Sequence, residues 1–413
     1  MFNAKLKDGT VISMMDPWHL SELKELRKKR SFFCPVCHSL VQLKLGTTKL
    51  WHFAHQANSN CMNSLEKETY YHLNGKRQLF NWLKNEQVDV AMEVYLPLIR
   101  QRPDLLFRFN HQIYALEFQC SPIHSTLLDS RTSGYEQLGI IPLWILGGNR
   151  LKRHGPHTFS MRPFEWHTIR TLDNNEAVVS YFCPDQSKFG SLHQLTPYST
   201  TRLIASYQET VAVNTSIESF LFPKPIHAKM IEKWLTVKKH WRYHRPTPYK
   251  AKAETHHQNL LYRHRIPPSL FPIEAGWPSN HHQLIATSPF HWQTYLLIEF
   301  FQHQPLFEVF SIRLAIHCIQ PFFERKTFML RFPNENKNWT DAIHGYFQFL
   351  VQIGYLEKKG QHSFRRVRDM IVPSTVEEAI SLDQTMYVRE VAKIMNRNNE
   401  GQNKGISTHK SNI

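Results

Sequence analysis

Several things are scarce in this 413-residue chain, and each scarcity excludes something. No apolar run approaches the roughly 18 residues a helix needs to cross a bilayer, so no membrane span is expected. Six cysteines, at positions 34, 37, 61, 120, 183 and 318, are too few and too scattered for a disulfide framework. The opening MFNAKLKDGT does not run into an apolar stretch of secretory length, so no signal peptide is expected and a reducing, cytoplasmic setting follows. Acidic residues are short: Asp plus Glu total 34 against 50 Lys plus Arg, a formal charge of +16. That balance favours a polyanionic partner, either nucleic acid or an anionic membrane surface. Aromatic residues, at 13%, would serve base stacking or, as they do more often, a core. The length leaves room for two or three domains.

The most informative stretch is Arg102 to Gln119, R-P-D-L-L-F-R-F-N-H-Q-I-Y-A-L-E-F-Q. Two apolar runs flank a polar turn at Arg108 to Gln112, which predicts a β-hairpin. Alternation puts Ile113, Ala115, Glu117 and Gln119 on one face, and Tyr114, Leu116 and Phe118 on the other. Asp104, near the start of the first strand, comes close to Glu117 and Gln119 in an ordinary register. Two carboxylates on otherwise apolar strands are costly to bury unless a cation or hydrogen bonds compensate. Hard oxygen ligands suit Mg²⁺ or Mn²⁺, which can activate water and stabilise charge on a phosphate.

Upstream, Asp8-Gly9 predicts a short hairpin, and Ser21 to Arg30 a charged helix whose terminal bases form a solvated face. Then come F-F-C-P-V-C-H, Phe32 to His38, and a segment from Val41 to His55 that ends in H-F-A-H. The C-x-x-C spacing lets a tight turn present Cys34 and Cys37 to one Zn²⁺, with His52 and His55 completing a tetrahedral site. The H-x-x-H gap is shorter than the usual spacing, which leaves His38 or Cys61 as substitute ligands. A redox C-x-x-C is the alternative, but the surroundings are not thioredoxin-like. Four protein ligands would leave no open position, so the metal would brace the fold.

Leu65 to Leu83 reads as a helix with Leu65, Leu79, Phe80 and Leu83 as its apolar stripe. Glu68, His72 and Lys76 recur every four residues along it. That row is either a surface ion-pair ladder or a face aiming Glu68 at a metal and His72 or Lys76 at a phosphate. Val88 to Leu96 reads as a strand, Pro122 to Leu138 as a helix blemished by Gly134, and Ile140 to Leu146 as a buried strand. Residues 65 to 147 therefore give α-β-β-β-α-β. Arg131 and Tyr135 lie one turn apart on the second helix, where Tyr135 either packs or steers a phosphate or a water.

P-D, twelve intervening residues and E-x-Q resemble the P-D...(D/E)-x-K signature of restriction-endonuclease-like nucleases, with Gln119 where lysine usually stands. C-P-x-C, H-F-A-H, E-T-x-x-H-x-x-x-K, R-P-D, E-F-Q-x-S, R-x-x-x-Y and W-I-L follow in order from Cys34 to about Leu146. In this the chain resembles the competence protein CoiA family. The resemblance implies an α/β protein with a restriction-endonuclease-like αβββαβ core behind a small zinc-finger-like N-terminal domain. It also implies a part in natural transformation, handling incoming single-stranded DNA during recombination, with recombination proteins as further partners. Asp104 and Glu117 would then hold magnesium or manganese, with Glu68 as a further ligand, while Gln119 takes the lysine's place in orienting water. Gln119 carries no charge, so Lys76 or Arg131 would supply it. The rival reading is a catalytically inactive protein that protects or delivers single-stranded DNA; a weaker third is a scaffold for an acidic protein.

Beyond Gly148, Ala177 to Cys183 is strand-like and Phe222 to Pro225 looks like a boundary. Lys229 to Arg265 is the most basic region, with Lys238, Lys239, Arg242 and Arg245 interleaved with Trp234, Trp241 and Tyr243. Either Lys238, Lys239, Trp241 and Arg242 contact a single strand through phosphates and stacking, or this is a half-buried helix with snorkelling bases. Trp292 to Phe301 and Leu306 to Phe322 read as buried helices. Ala342 to Gly354 reads as a helix leading into a basic hairpin, and Asn396 to Ile413 as a disordered tail. The expected domains are 1–62, 63–220 with its core at 65–147, a mostly α-helical 221–395, and the tail 396–413.

Overall fold

The computed structural model describes residues 1–47, 50–56, 61, 69–172, 176–224, 230–243, 251–332 and 338–388. Glu68, Arg245 and the tail at 396–413 lie outside the described residues. The chain forms two compact units, the first comprising Met1–Lys152, Pro163–His193 and Tyr207–Ile226, the second the remainder.

The first unit opens with β1 (Asn3–Lys5), β2 (Val11–Ser13), α1 (Leu20–Lys29), β3 (Phe32–Phe33), β4 (Leu40–Lys44) and β5 (His52–His55). The strands form an antiparallel sheet in the order β2-β1-β3-β4-β5. Gly9, at φ +90°, closes the first hairpin in a conformation that other residues adopt only under strain. Val41 and Leu43 alternate inward along β4 and meet Ala4, Ile12, Leu23 and Phe53 in a small core.

Next follow α2 (Tyr70–Asn85), β6 (Asp89–Met92), β7 (Leu105–Phe109), β8 (Gln112–Gln119), α3 (Ser125–Gln137) and β9 (Ile140–Gly147). This is the restriction-endonuclease-like αβββαβ order. Thr69 caps α2, its hydroxyl accepting the His72 N–H at 3.2 Å. The β7–β8 turn consists of Asn110 and His111, both at positive φ, as a two-residue hairpin loop requires. β6, β7 and β8 pair antiparallel, while β8 and β9 run parallel. Ala177–Cys183 extends the sheet, parallel to β9, and Lys188–Pro197 pairs antiparallel with it.

Side-chain alternation in β8 splits two cores. Tyr114, Leu116 and Phe118 pack with Leu73, Leu79 and Leu83 of α2, and Ala115 packs with Tyr135 of α3. The sheet therefore lies between the two helices. Gly75 sets the closeness of α2: a Cβ there would fall 2.0 Å from a Phe118 ring carbon.

The second unit is mainly helical around one large aromatic-rich core. Its helices include Met230–Tyr243, Lys252–Arg263, Pro289–Tyr295, Ile312–Glu324, Thr340–Gln352 and Val376–Met386. The helix read from Leu306 begins later, because Val309–Ser311 pairs instead with Ser363–Arg366. The hairpin after Thr340–Gln352 is present, Leu356–Lys358 against Ser363–Arg366.

The basic helix turns two of its cations inward. Lys238 and Arg242 are internal: Lys238 Nζ donates to the Ile273 carbonyl at 2.7 Å and lies 2.9 Å from Asp383. The Arg242 guanidinium grips Asp383 through Nε and Nη2 at 3.0 and 3.1 Å. Trp241 is half-buried, stacked on Phe290 at 5.2 Å between centroids. Of the four expected nucleic-acid contacts on this helix only Lys239 is exposed. Burying two cations without a partner would be prohibitive, and Asp383 supplies the partner, 141 residues along the chain from Arg242.

Candidate functional site

The sheet register assembles the site. Leu105 stands opposite Leu116, so one step further Asp104 faces Glu117. Met92 stands opposite Leu105, so Glu93 faces Asp104, and the Glu93 N–H donates to the Asp104 carbonyl at 3.0 Å. Three acidic residues on neighbouring chain segments thus stand in a row.

Each helix sends a cation to that row. From α2, Lys76 is buried, its Nζ 2.5 Å from Glu93 Oε1 and 3.0 Å from Asp104 Oδ1. His72, one turn earlier, has Nε2 3.5 Å from Asp104 Oδ2, which also accepts the Phe118 N–H at 2.9 Å. From α3, Arg131 Nη2 and the Tyr135 hydroxyl both donate to Glu117 Oε1, and Arg131 also reaches the Arg102 carbonyl at 3.3 Å. Gln119 is buried, with Nε2 donating to the Ser121 carbonyl at 2.6 Å.

Electrostatics separates the carboxylates. Burial opposes ionisation of Asp104, but Lys76, His72 and the Phe118 N–H hold it well below the ordinary range. Burial likewise opposes Glu93, yet Lys76 and Arg102 bring it down to about 2. Glu117 goes the other way. Its desolvation outweighs Arg131, Asp104 adds repulsion, and the pKa rises to about 7. Burial disfavours the Lys76 ammonium, but Asp104 and Glu93 more than compensate and its pKa rises. One strongly ionised acid beside one that titrates near neutrality is a pattern that metal and acid–base sites share.

Tyr135 is fully buried, and its hydroxyl donates to Glu117. His72, Lys76 and Arg131 converge on the acids, while Glu68 lies outside the described residues. Glu93 and Arg102 escape a sequence reading. Glu93 sits where strand alternation ends, at φ +54°, and no local pattern shows that its side chain turns inward.

A second cluster sits in the N-terminal sheet. Ligand atoms of Cys34, Cys37, His55 and Cys61 all lie within 4.8 Å of one another, so the four could hold a structural metal ion. Cys37 Sγ lies 3.4 Å from His55 Nε2. Here Cys61 takes the place expected for His52. His52 and His55 are three apart on one strand and therefore face opposite sides. His52 Nδ1 instead meets the Leu50 carbonyl at 2.8 Å. His38, the other substitute, is exposed and outside the cluster. Thiolate and imidazole donors in this number are those of closed structural sites.

An αβββαβ sheet bearing paired carboxylates, preceded by a Cys/His cluster, defines a nuclease-like protein. Three family descriptions match the chain in order: "Competence protein CoiA, N-terminal domain" at residues 15–64, "nuclease-like domain" at 68–225 and "C-terminal domain" at 230–380. The competence protein CoiA of Bacillus subtilis (strain 168) is 30% identical over 332 residues, 80% of this chain and 88% of that protein. The chain belongs to the competence protein CoiA family. No solved structure matches it. No helix among the described residues is long and apolar enough to cross a membrane.

Proposed function

We propose that the nuclease-like unit is a divalent-metal-dependent phosphodiesterase acting on incoming single-stranded DNA during natural transformation and recombination. The observation that carries this reading is the cross-strand pairing of Asp104 with Glu117, with a cation delivered to the row from each covering helix. The donor chemistry fits a hard cation: the Asp104 and Glu117 carboxylates and the Gln119 amide carbonyl offer oxygen ligands. Asp104 and Glu117 would hold magnesium or manganese, which supplies an activated water and charge neutralisation. Arg131 holds Glu117 in place. Lys76 stands in for the charge that Gln119 lacks, and His72 lies beside Asp104 to meet a phosphate. Zinc at the Cys34, Cys37, His55 and Cys61 cluster would brace the N-terminal sheet.

Single-stranded DNA incubated with Mn²⁺ or Mg²⁺ tests the reading. The wild type should cleave, and Asp104→Ala and Glu117→Ala should not; equal cleavage by all three refutes it. A second reading, a catalytically inactive protein that protects or delivers single strands, is favoured by one observation. Lys76 and Arg131 already neutralise Asp104 and Glu117 internally. Salt-sensitive DNA binding that survives Asp104→Ala, with no cleavage by the wild type, would select it.

A further inference from the structure

The carboxylate nearest the N-terminal sheet has no role in the reading above, and its contacts define one. Glu93 accepts the main-chain N–H of Phe2 at 2.8 Å and of Asn3 at 3.1 Å, both on Oε2. Its other oxygen takes the Lys76 ammonium at 2.5 Å. The Asn3 side chain ties the same corner, Nδ2 donating to the Met92 carbonyl at 2.6 Å. Glu93 is 3% exposed, and its left-handed backbone is a conformation that a glutamate holds only when its surroundings fix it. Its two oxygens are thus committed to the protein on both sides.

Lys76 stands between two acids, Glu93 behind it and Asp104 in front. Without the first, the ammonium would turn to Asp104 and compete with any cation there.

Resting on the metal-dependent reading, we propose that Glu93 is a positioning residue. Clamped by the main-chain N–H groups of Phe2 and Asn3, it draws Lys76 back so that Asp104 can take a divalent cation. The N-terminal sheet is then a working part of the nuclease-like centre. Its first strand sets the cation affinity of a site otherwise built from α2, β7, β8 and α3.

The test uses Mn²⁺ alone as the probe, on the full chain without DNA, with binding read by calorimetry or electron paramagnetic resonance. Glu93→Gln should weaken Mn²⁺ binding at least fivefold. Adding Lys76→Met to it should restore binding to within about twofold of wild type, because the competing ammonium is gone; such non-additivity is the mark of one residue acting through another. Wild-type affinity in Glu93→Gln, or a double variant as weak as the single one, overturns the proposal. If instead Asp104→Ala and Glu117→Ala leave Mn²⁺ binding unchanged, the metal-dependent reading itself falls. A measurement on the unaltered sequence covers the case where Glu93→Gln does not fold. With the chain ¹⁵N-labelled at Phe and Asn, Mg²⁺ should shift the Phe2 and Asn3 amide signals at the same midpoint as Phe118, whose N–H is bound to Asp104. Phe2 and Asn3 signals that stay fixed while Phe118 moves overturn the proposal.

Discussion

The Nζ of Lys76 lies 3.0 Å from Oδ1 of Asp104, and only 1% of the lysine side chain is exposed. A buried ammonium is tolerated only because two carboxylates receive it, and those carboxylates depend on it in return. Lys76→Met leaves Glu93 and Asp104 buried without their cation. The expected cost is about 3–5 kcal/mol of stability at neutral pH, read from urea unfolding. Lowering the pH toward 4 should shrink that cost as the acids protonate.

Glu117 makes stability depend on pH near neutrality. Its folded-state pKa of about 7 lies above the ordinary 4.5, so its contribution is complete below about pH 4.5 and is lost as pH rises through 7. Glu93, at about 2, runs the other way, contributing above its ordinary 4.5 and losing that contribution as pH falls toward 2. Thermal scans between pH 5 and 8 should show the melting temperature of the wild type falling relative to Glu117→Gln. A divalent cation that binds Glu117 should cancel the fall.

Metal content discriminates the ligands of the N-terminal cluster. His52→Ala should retain one tightly bound metal ion per chain, whereas Cys61→Ser should lose it or bind it far more weakly, measured by elemental analysis after dialysis. Retention by Cys61→Ser together with loss by His52→Ala would reverse the assignment.

Gly75→Ala places a methyl group where the Phe118 ring stands. The helix or the ring must move, at a cost of about 1–3 kcal/mol in chemical denaturation. Because His72 stacks near Phe118 at 5.9 Å between centroids and Phe118 binds Asp104 through its N–H, cleavage should fall as well.

What was legible in the sequence was what local periodicity encodes. The alternation from Ile113 to Gln119 and the helical spacing of His72 and Lys76 located the αβββαβ core and the acids it carries. The Asn110-His111 turn fell inside the polar segment read from the sequence. What was not legible depends on distant chain. Glu93 looks like an outward-facing strand residue until Phe2 and Asn3, about ninety positions earlier, bind it. From sequence Cys61 is only a substitute beside His38, because it lies beyond the H-F-A-H motif and no spacing rule chooses between the two. Lys238 and Arg242 read either as contacts to a single strand or as snorkelling bases of a half-buried helix, because nothing nearby reveals Asp383.

The burial of Lys238 and Arg242 bears on how the formal charge of +16 should be understood. Both cations are spent on Asp383 and on the main-chain carbonyls of Ile273 and Phe271, and Lys76 is spent likewise on Glu93 and Asp104. They therefore release no counterions when a nucleic acid arrives. The salt dependence of binding should report fewer phosphate contacts than a tally of lysines and arginines along the helix Met230–Tyr243 would forecast.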